Sequence, residues 1–222
     1  MTMKILALDT SGVDCAVCIY EAGTKAVLAE VTETIGKGHA ERLMALVEQA
    51  LQSAQCTLKD IGKVGVTIGP GSFTGIRVGV AAARGFAVAL GVDAVGVTTL
   101  ETVARAYHKA NPGRAFAVAF DAKRDEVYLQ IFDAKGAPTN AEQLLSLDEA
   151  RALLSGFDGD IAGTGAAVIL EQAASIDKDR FPIAIVAEIA SEKAAGGENP
   201  KPLYLRGPDA RPQSGFALER QT

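Results

Sequence analysis

The sequence predicts an α/β protein built from two related halves, and three observations carry that prediction. Short apolar runs of strand length give way to longer stretches whose apolar residues recur at helical spacing. A break at Asn111-Pro112-Gly113 divides the 222 residues near the middle. Beyond it the opening pattern returns: FAVAFDAKRDEVYLQIF from Phe116 echoes ILALDTSGVDCAVCIY from Ile5. Each is an apolar strand ending in Asp (Asp9, Asp121), a polar turn and a second strand, as a duplication would leave it. Residues 1–110 and 111–222 are therefore expected to form two lobes.

In the first half, Lys4–Asp9, Cys15–Tyr20 and Ala26–Thr32 read as three short strands separated by the turns Thr10–Asp14 and Gly23. In HAERLMALVEQALQSA, Leu43, Leu46, Val47, Ala50, Leu51 and Ala54 recur at helical spacing, which predicts a helix over His39–Ala54. A strand at Val64–Ile68, a helix at Thr74–Leu90, a strand at Ala94–Val97 and a helix at Leu100–Lys109 follow. The second half is thinner after its opening hairpin. It predicts a short helix at Leu147–Leu154, a strand at Asp160–Gly163, a bend at Gly163-Thr164-Gly165 and a helix at Ala166–Ala174. A strand at Ile183–Val186 and a helix at Ala187–Ala195 complete it. The tail NPKPLYLRGPDARPQ carries Pro200, Pro202, Pro208 and Pro212, so it should run extended along the surface.

Composition narrows the function. Hydrophobic residues make up 48% and charged residues 22%, an ordinary globular balance. A net charge of −5 makes the chain a poor autonomous binder of nucleic acid, which needs clustered Lys and Arg. The three cysteines, Cys15, Cys18 and Cys56, suit a reducing compartment. Cys15-x-x-Cys18 lies in a strand, where residues three apart face opposite sides, so packing is expected of it and not metal binding. Met1–Leu8 is too short for a signal peptide, and Ile76–Leu90 carries Arg77 and Arg84 and falls short of a membrane span. A cytoplasmic protein without membrane contact is expected. His39 and His108 are the only histidines and form no HxxxH or HExxH pair, so neither a metal site nor a catalytic residue is assigned. His39 should sit at a helix start and His108 exposed near a helix end. Ser72 lacks a GxSxG context.

The most informative stretch is GVTIGPGSFTGIRVGVAAARGFAVALG, from Gly65 to Gly91. Its glycine-rich bend is neither a Walker A loop nor GxGxxG. It reads either as an anion-binding helix start or as a tight strand-to-helix turn capped by Ser72 or Thr74. In the helix beyond, Gly75, Gly79, Ala83 and Ala87 form one stripe of small side chains. Val80, Ala81 and Val88 should face away from it, beside Arg77 and Arg84. A helix apolar nearly all round is buried on two sides, and its own sheet covers only one. A partner is expected on the other, with the two arginines setting register. Asp9 and Asp121, each closing the first strand of a half, fit either a metal-phosphate position or an ordinary turn.

The segments KILALDTSG, GPGSFTGIRVGVAAARGFA, TTLE, DAKRDEVY and PLYLRGPDARP closely resemble the bacterial TsaB family, also called YeaZ, from Lys4 to Pro212. The resemblance implies an actin-like, Hsp70-like two-lobe fold with duplicated β-β-β-α-β-α lobes, the second degenerate. It implies a non-catalytic role in making threonylcarbamoyladenosine on tRNA, at the adenosine beside the anticodon. The implied partners are a TsaD-like paralogue, which carries the metal and transfers the threonylcarbamoyl group, and a TsaE-like ATPase. ATP and metal are expected on those subunits, no cofactor on this chain, and tRNA only through the complex. The implied contact is a helical bundle from the first two helices, with His39, Leu43, Leu46, Val47, Thr74, Arg77, Val78, Gly79, Ala82, Arg84 and Phe86 as candidate interface residues. A homodimer through the same helices is expected when the partner is absent. Asp9, Asp121, Gly163 and Gly165 would be a vestigial nucleotide site. Where the paralogue has paired metal histidines, this chain reads Thr98-Thr99-Leu100-Glu101. The competing expectation is a stand-alone ATP-dependent enzyme of kinase or peptidase type, resting on the two aspartates and the glycine-rich bends.

Overall fold

A computed structural model describes residues 2–173, 179–194 and 196–207. In the first sheet, β1 (Lys4–Asp9), β2 (Asp14–Glu21) and β3 (Ala26–Thr34) form an antiparallel meander. β4 (Ile61–Gly69) pairs parallel with β1, and β5 (Asp93–Thr98) parallel with β4, giving the order β3-β2-β1-β4-β5. Helix α1 (His39–Ser53) connects β3 to β4 and helix α2 (Phe73–Leu90) crosses from β4 to β5, as parallel pairing requires. Strands β1 and β2 are covered on both faces, which is why they read as continuous apolar runs. Leu6, Leu8, Cys15, Val17 and Ile19 join α1 and α2 on one face; Ile5, Ala7, Ala16, Cys18 and Tyr20 pack on the other. Cys15 and Cys18 thus lie on opposite faces, and both are free.

The second sheet repeats the first with one strand fewer. β6 (Phe116–Lys123), β7 (Glu126–Phe132) and β8 (Gln143–Ser146) are antiparallel, β9 (Asp160–Ala162) is parallel to β6, and the order is β8-β7-β6-β9. Helices α4 (Leu147–Leu153) and α5 (Gly165–Leu170) stand where α1 and α2 stand, but with 7 and 6 residues in place of 15 and 18. Ala150 and Ile169 from them pack on Ala119, Val127 and Leu129. Gly69 (φ 100°) and Gly163 (φ 93°) mark the same bend in the two halves, between a parallel strand and its helix.

Two elements differ from expectation. The sequence QLLS gives no strand signal of its own, and pairing with β7 makes it β8. Ile183–Val186 is not a strand but the first turn of α6 (Ile183–Glu192). Its buried residues Ile183, Val186, Ala187 and Ala190 follow helical spacing, yet a short apolar run rich in β-branched residues fits either period. Helix α5 ends at Leu170, before a left-handed Glu171. Ala174, Ala195, Pro208 and Pro212 lie outside the described residues.

The halves exchange their last helices. α3 (Thr99–Ala110), from the first half, lays Leu100 and Ala104 against Phe116, Val118, Phe120 and Phe132 of the second sheet. α6, from the second half, lays Ile183, Val186 and Ile189 against Ile5, Ala7, Cys18, Val95 and Val97 of the first. Lys63, buried on β4, donates its ammonium to the carbonyls of Ala190 (3.2 Å), Ser191 (3.4 Å) and Lys193 (2.7 Å) at the end of α6. These carbonyls would otherwise lack partners, and a cation suits that end of the helix dipole.

Candidate partner interface

The bend before α2 is spent on the chain's own backbone. The Ser72 amide donates to the Ser11 carbonyl (2.7 Å), and a Cβ on Gly71 would stand 2.4 Å from that same oxygen. The Ser72 hydroxyl caps α2 by accepting the Gly75 amide (3.2 Å), and Gly91, left-handed at φ 67°, closes the helix. This is the tight-turn reading of the glycine-rich stretch.

The small-residue stripe faces inward. A Cβ on Gly75 would lie 1.9 Å from the Thr10 carbonyl oxygen, and one on Gly79 would lie 2.6 Å from Thr10 Oγ1. The glycines let α2 approach the β1–β2 loop closely enough for Thr10 Oγ1 to donate to the Gly75 carbonyl (2.7 Å). Ala83 and Ala87 continue the contact. Val80, expected to face away, is buried with them, because it lies only about 80° from the stripe's centre at 100° per residue. Gly79 is thus corrected from a docking residue to a fold residue.

What α2 shows outward is Phe73, Thr74, Arg77, Ala81, Arg84, Gly85, Val88 and Ala89, with Val78, Ala82, Phe86 and Leu90 half-buried at the shoulder. Six of its eighteen residues are buried, and Val88 is 84% exposed. The helix is long and apolar enough to cross a membrane by length and composition alone, but its inner face is part of the α/β core. α1 lies on the same sheet face and touches α2. Its His39, Leu43, Leu46 and Val47 are buried in the chain's own core, so these four candidates are also corrected: the exposed residues of α1 are Ala40, Glu41, Arg42, Met44, Ala45, Glu48, Gln49, Gln52 and Ser53. The guanidinium of Arg77 stacks on the Phe73 ring (3.5 Å to its centre), and Nε donates to the Tyr204 hydroxyl (2.8 Å). Phe73 and Tyr204 gave no signal in the sequence, because the contact between them joins positions 131 residues apart. Arg84 bonds to no acid among the described residues.

Of the four residues of the expected nucleotide site, Asp121, Gly163 and Gly165 meet at one bend, where the Asp121 amide donates to Thr164 Oγ1 (3.0 Å), while Asp9 lies on the other sheet. Asp9 is buried beneath Ser11 and Thr67. Its Oδ1 accepts from the Ser11 amide (2.9 Å) and from Thr67 Oγ1 (2.5 Å), its Oδ2 has no partner among the described residues, and burial pushes its carboxyl up to about 6. Asp121, at the matching place in the second sheet, is half-buried and accepts from the amide (2.8 Å) and ammonium (2.6 Å) of Lys123. Cβ atoms on Gly163 and Gly165 would strike Ala119 at 2.4 and 2.7 Å, so these glycines seat the bend on β6. Between the sheets lies a cleft of about 620 Å³ whose walls include Ser72, Asp121, Lys123, Thr164 and Asp179; Asp9, Gly163 and Gly165 do not line it. Asp179 accepts from the amide and hydroxyl of Thr164, and burial raises its carboxyl above the usual range. His108 is half-buried, not exposed: its ring stacks on Phe116. No cluster of three metal-ligating side chains occurs among the described residues.

Two repeated β-β-β-α-β sheets with exchanged helices define a protein of the actin-like α/β class, here with an exposed apolar face on α2. The family model described as "TsaD: tRNA N6-adenosine threonylcarbamoyltransferase" matches residues 26–196. The "tRNA threonylcarbamoyladenosine biosynthesis protein TsaB" of Escherichia coli is 34% identical over 57% of this chain and 53% of its own length. That of Bacillus subtilis is 36% identical over 60% and 56%. The solved structure titled "YeaZ from Pseudomonas aeruginosa" superposes with a TM-score of 0.71 at 27% identity, over 85% of this chain and 90% of that one. The chain belongs to the TsaB (YeaZ) family within the wider TsaD-type family. It spans little more than half the length of these two curated relatives.

Proposed function

We propose that the chain is a non-catalytic subunit of a cytoplasmic complex that makes threonylcarbamoyladenosine on tRNA. It docks onto a TsaD-like paralogue that transfers the threonylcarbamoyl group to the adenosine beside the anticodon, and a TsaE-like ATPase joins them. The observation that carries this reading is the outer face of α2: Ala81, Gly85, Val88 and Ala89 stand in solvent, and so does Met44 of α1. An apolar helix face without cover marks an interaction site. The names of the relatives support the process, and the net charge of −5 supports reaching tRNA through partners. ATP and metal belong to the partner subunits in this reading.

Val88→Glu and Met44→Glu test it, since both replace exposed side chains and spare the fold. Titrated calorimetrically with the paralogue, wild type should bind and either variant should lose at least tenfold in affinity with its thermal midpoint unchanged. Wild-type affinity in both variants places the contact elsewhere. Without the paralogue, the same face should give a homodimer that Val88→Glu dissociates.

The cleft between the sheets favours a second reading, an ATP-dependent enzyme, because Ser72, Lys123, Thr164 and two carboxylates converge on it. Calorimetry with ATP and magnesium on the isolated chain decides: micromolar binding abolished by Asp121→Ala would favour the enzyme.

A further inference from the structure

We propose that the groove between the start of α2 and the tail segment Leu203–Gly207 receives an acidic, apolar peptide segment of the sister subunit. This rests on the docking reading above and extends its footprint from the helices onto the tail. The groove encloses about 690 Å³ over a floor that includes Pro70, Ile76, Tyr128, Leu203 and Leu205. Phe73 and Tyr204 stand at its rim, 58% and 49% exposed, with ring centres 5.7 Å apart. Leu203 fixes the tail wall by donating its amide to the Ile68 carbonyl (2.8 Å), and Arg206 donates to the Ala122 carbonyl (2.9 Å) and pairs with Glu126.

The charge of the groove selects the occupant. Among the described residues, two guanidiniums, Arg77 and Arg206, line it, and no Asp or Glu does. Arg77 has its Nε committed to Tyr204 and no acidic partner among the described residues. In a chain of net charge −5 such a groove favours a carboxylate-bearing segment. Exposed aromatic rings around an arginine are also the residue types that anchor interfaces. Because Arg77 is already stacked and hydrogen-bonded, little side-chain freedom remains to be lost on binding. An RNA strand would use the same rings, but it needs a row of cations along its phosphates. Two guanidiniums, one of them paired with Glu126, are too few for that. Continuity with the docking face follows from the chain itself, since Phe73 and Arg77 begin α2.

Two measurements on the full chain test the proposal. Tyr204→p-benzoylphenylalanine, irradiated in the presence of the paralogue, the ATPase and tRNA, should cross-link to a paralogue peptide carrying Asp or Glu near the attachment point. A cross-link to tRNA, to a second copy or to this chain's own residues 208–222 overturns it, and so does no cross-link. Arg77→Glu should weaken paralogue binding at least tenfold with the isolated chain's thermal midpoint unchanged. Full affinity in Arg77→Glu while Val88→Glu still abolishes binding removes the groove and leaves the docking reading standing. Full affinity in both removes the docking reading itself.

Discussion

Asp9 and Asp121 occupy the same place in two copies of one motif, yet their surroundings give them opposite electrostatics. Beside Asp121, Lys123 offers a cation two residues further along the same strand. Asp9 has no cation among the described residues, and burial outweighs its bonds from Thr67 and Ser11, which pushes its carboxyl up from 3.8 to about 6. The folded state therefore holds the proton more tightly than the unfolded state. Stability contributed by protonated Asp9 is fully present below about 3.8 and is lost as pH rises through about 6. Two pH units correspond to about 3 kcal/mol. Asp9→Asn keeps the Oδ1 acceptor and removes the titration. In denaturant titrations from pH 4 to 8, wild type should lose about 2–3 kcal/mol relative to Asp9→Asn; parallel curves would show that the buried carboxylate ionises without that cost. The equivalence of the two aspartates was legible in the sequence, because LALDTSG and VAFDAKR rhyme. Their difference was not, because the Thr67 hydroxyl that meets Asp9 comes from a strand 58 residues away.

At the scale of the element, periodicity identified α2 and its neighbours but could not orient it. A helix apolar all round offers no polar face to mark the outside, so the glycine stripe was open to either side. The distances to Thr10 decide: Gly75 and Gly79 are small because β1 and its loop lie against them, whereas a Cβ on Gly85 meets nothing within 4 Å. Two alanine substitutions in one helix should therefore act in opposite directions. Gly75→Ala forces a methyl onto a backbone carbonyl and should destabilise the isolated chain by about 3 kcal/mol. Gly85→Ala should stabilise it by about 0.5–1 kcal/mol through helix propensity alone. Thermal or denaturant unfolding of both checks the orientation, and equal losses would mean that Gly85 also faces packed atoms. The same missing polar signal explains the misplaced start of α6, another helix in which apolar residues outnumber the polar positions that would reveal its period.

For the whole molecule, the Asn111-Pro112-Gly113 break separates the two copies in the chain, but the packing does not respect it. Sheet order, the paired bends and the matching aspartates all repeat within each half, and of these the rhyme of the two openings foretold the repeated strand pair and its aspartates. The exchange of α3 and α6 was beyond reach of local pattern, because each helix is amphipathic or apolar in its own right and nothing in it names the sheet it covers. The exchange has a physical consequence. A fragment of residues 1–110 would bare the face of the first sheet formed by Ile5, Ala7, Ala16, Cys18, Val95 and Val97, while α3 would lose Phe116, Val118 and Phe132. Ile183, Val186 and Ile189 are each at most 1% exposed. At about 1.5–3 kcal/mol per buried aliphatic side chain, their loss alone approaches the whole stability of a typical domain. Lys63 would also be left without the three carbonyls that now receive its buried ammonium. Residues 1–110 should therefore fail to fold, giving poorly dispersed amide resonances. The intact chain should unfold in one cooperative transition by both circular dichroism and calorimetry. A folded 1–110 fragment, or two separate transitions, would mean that the exchanged helices only decorate two self-sufficient sheets.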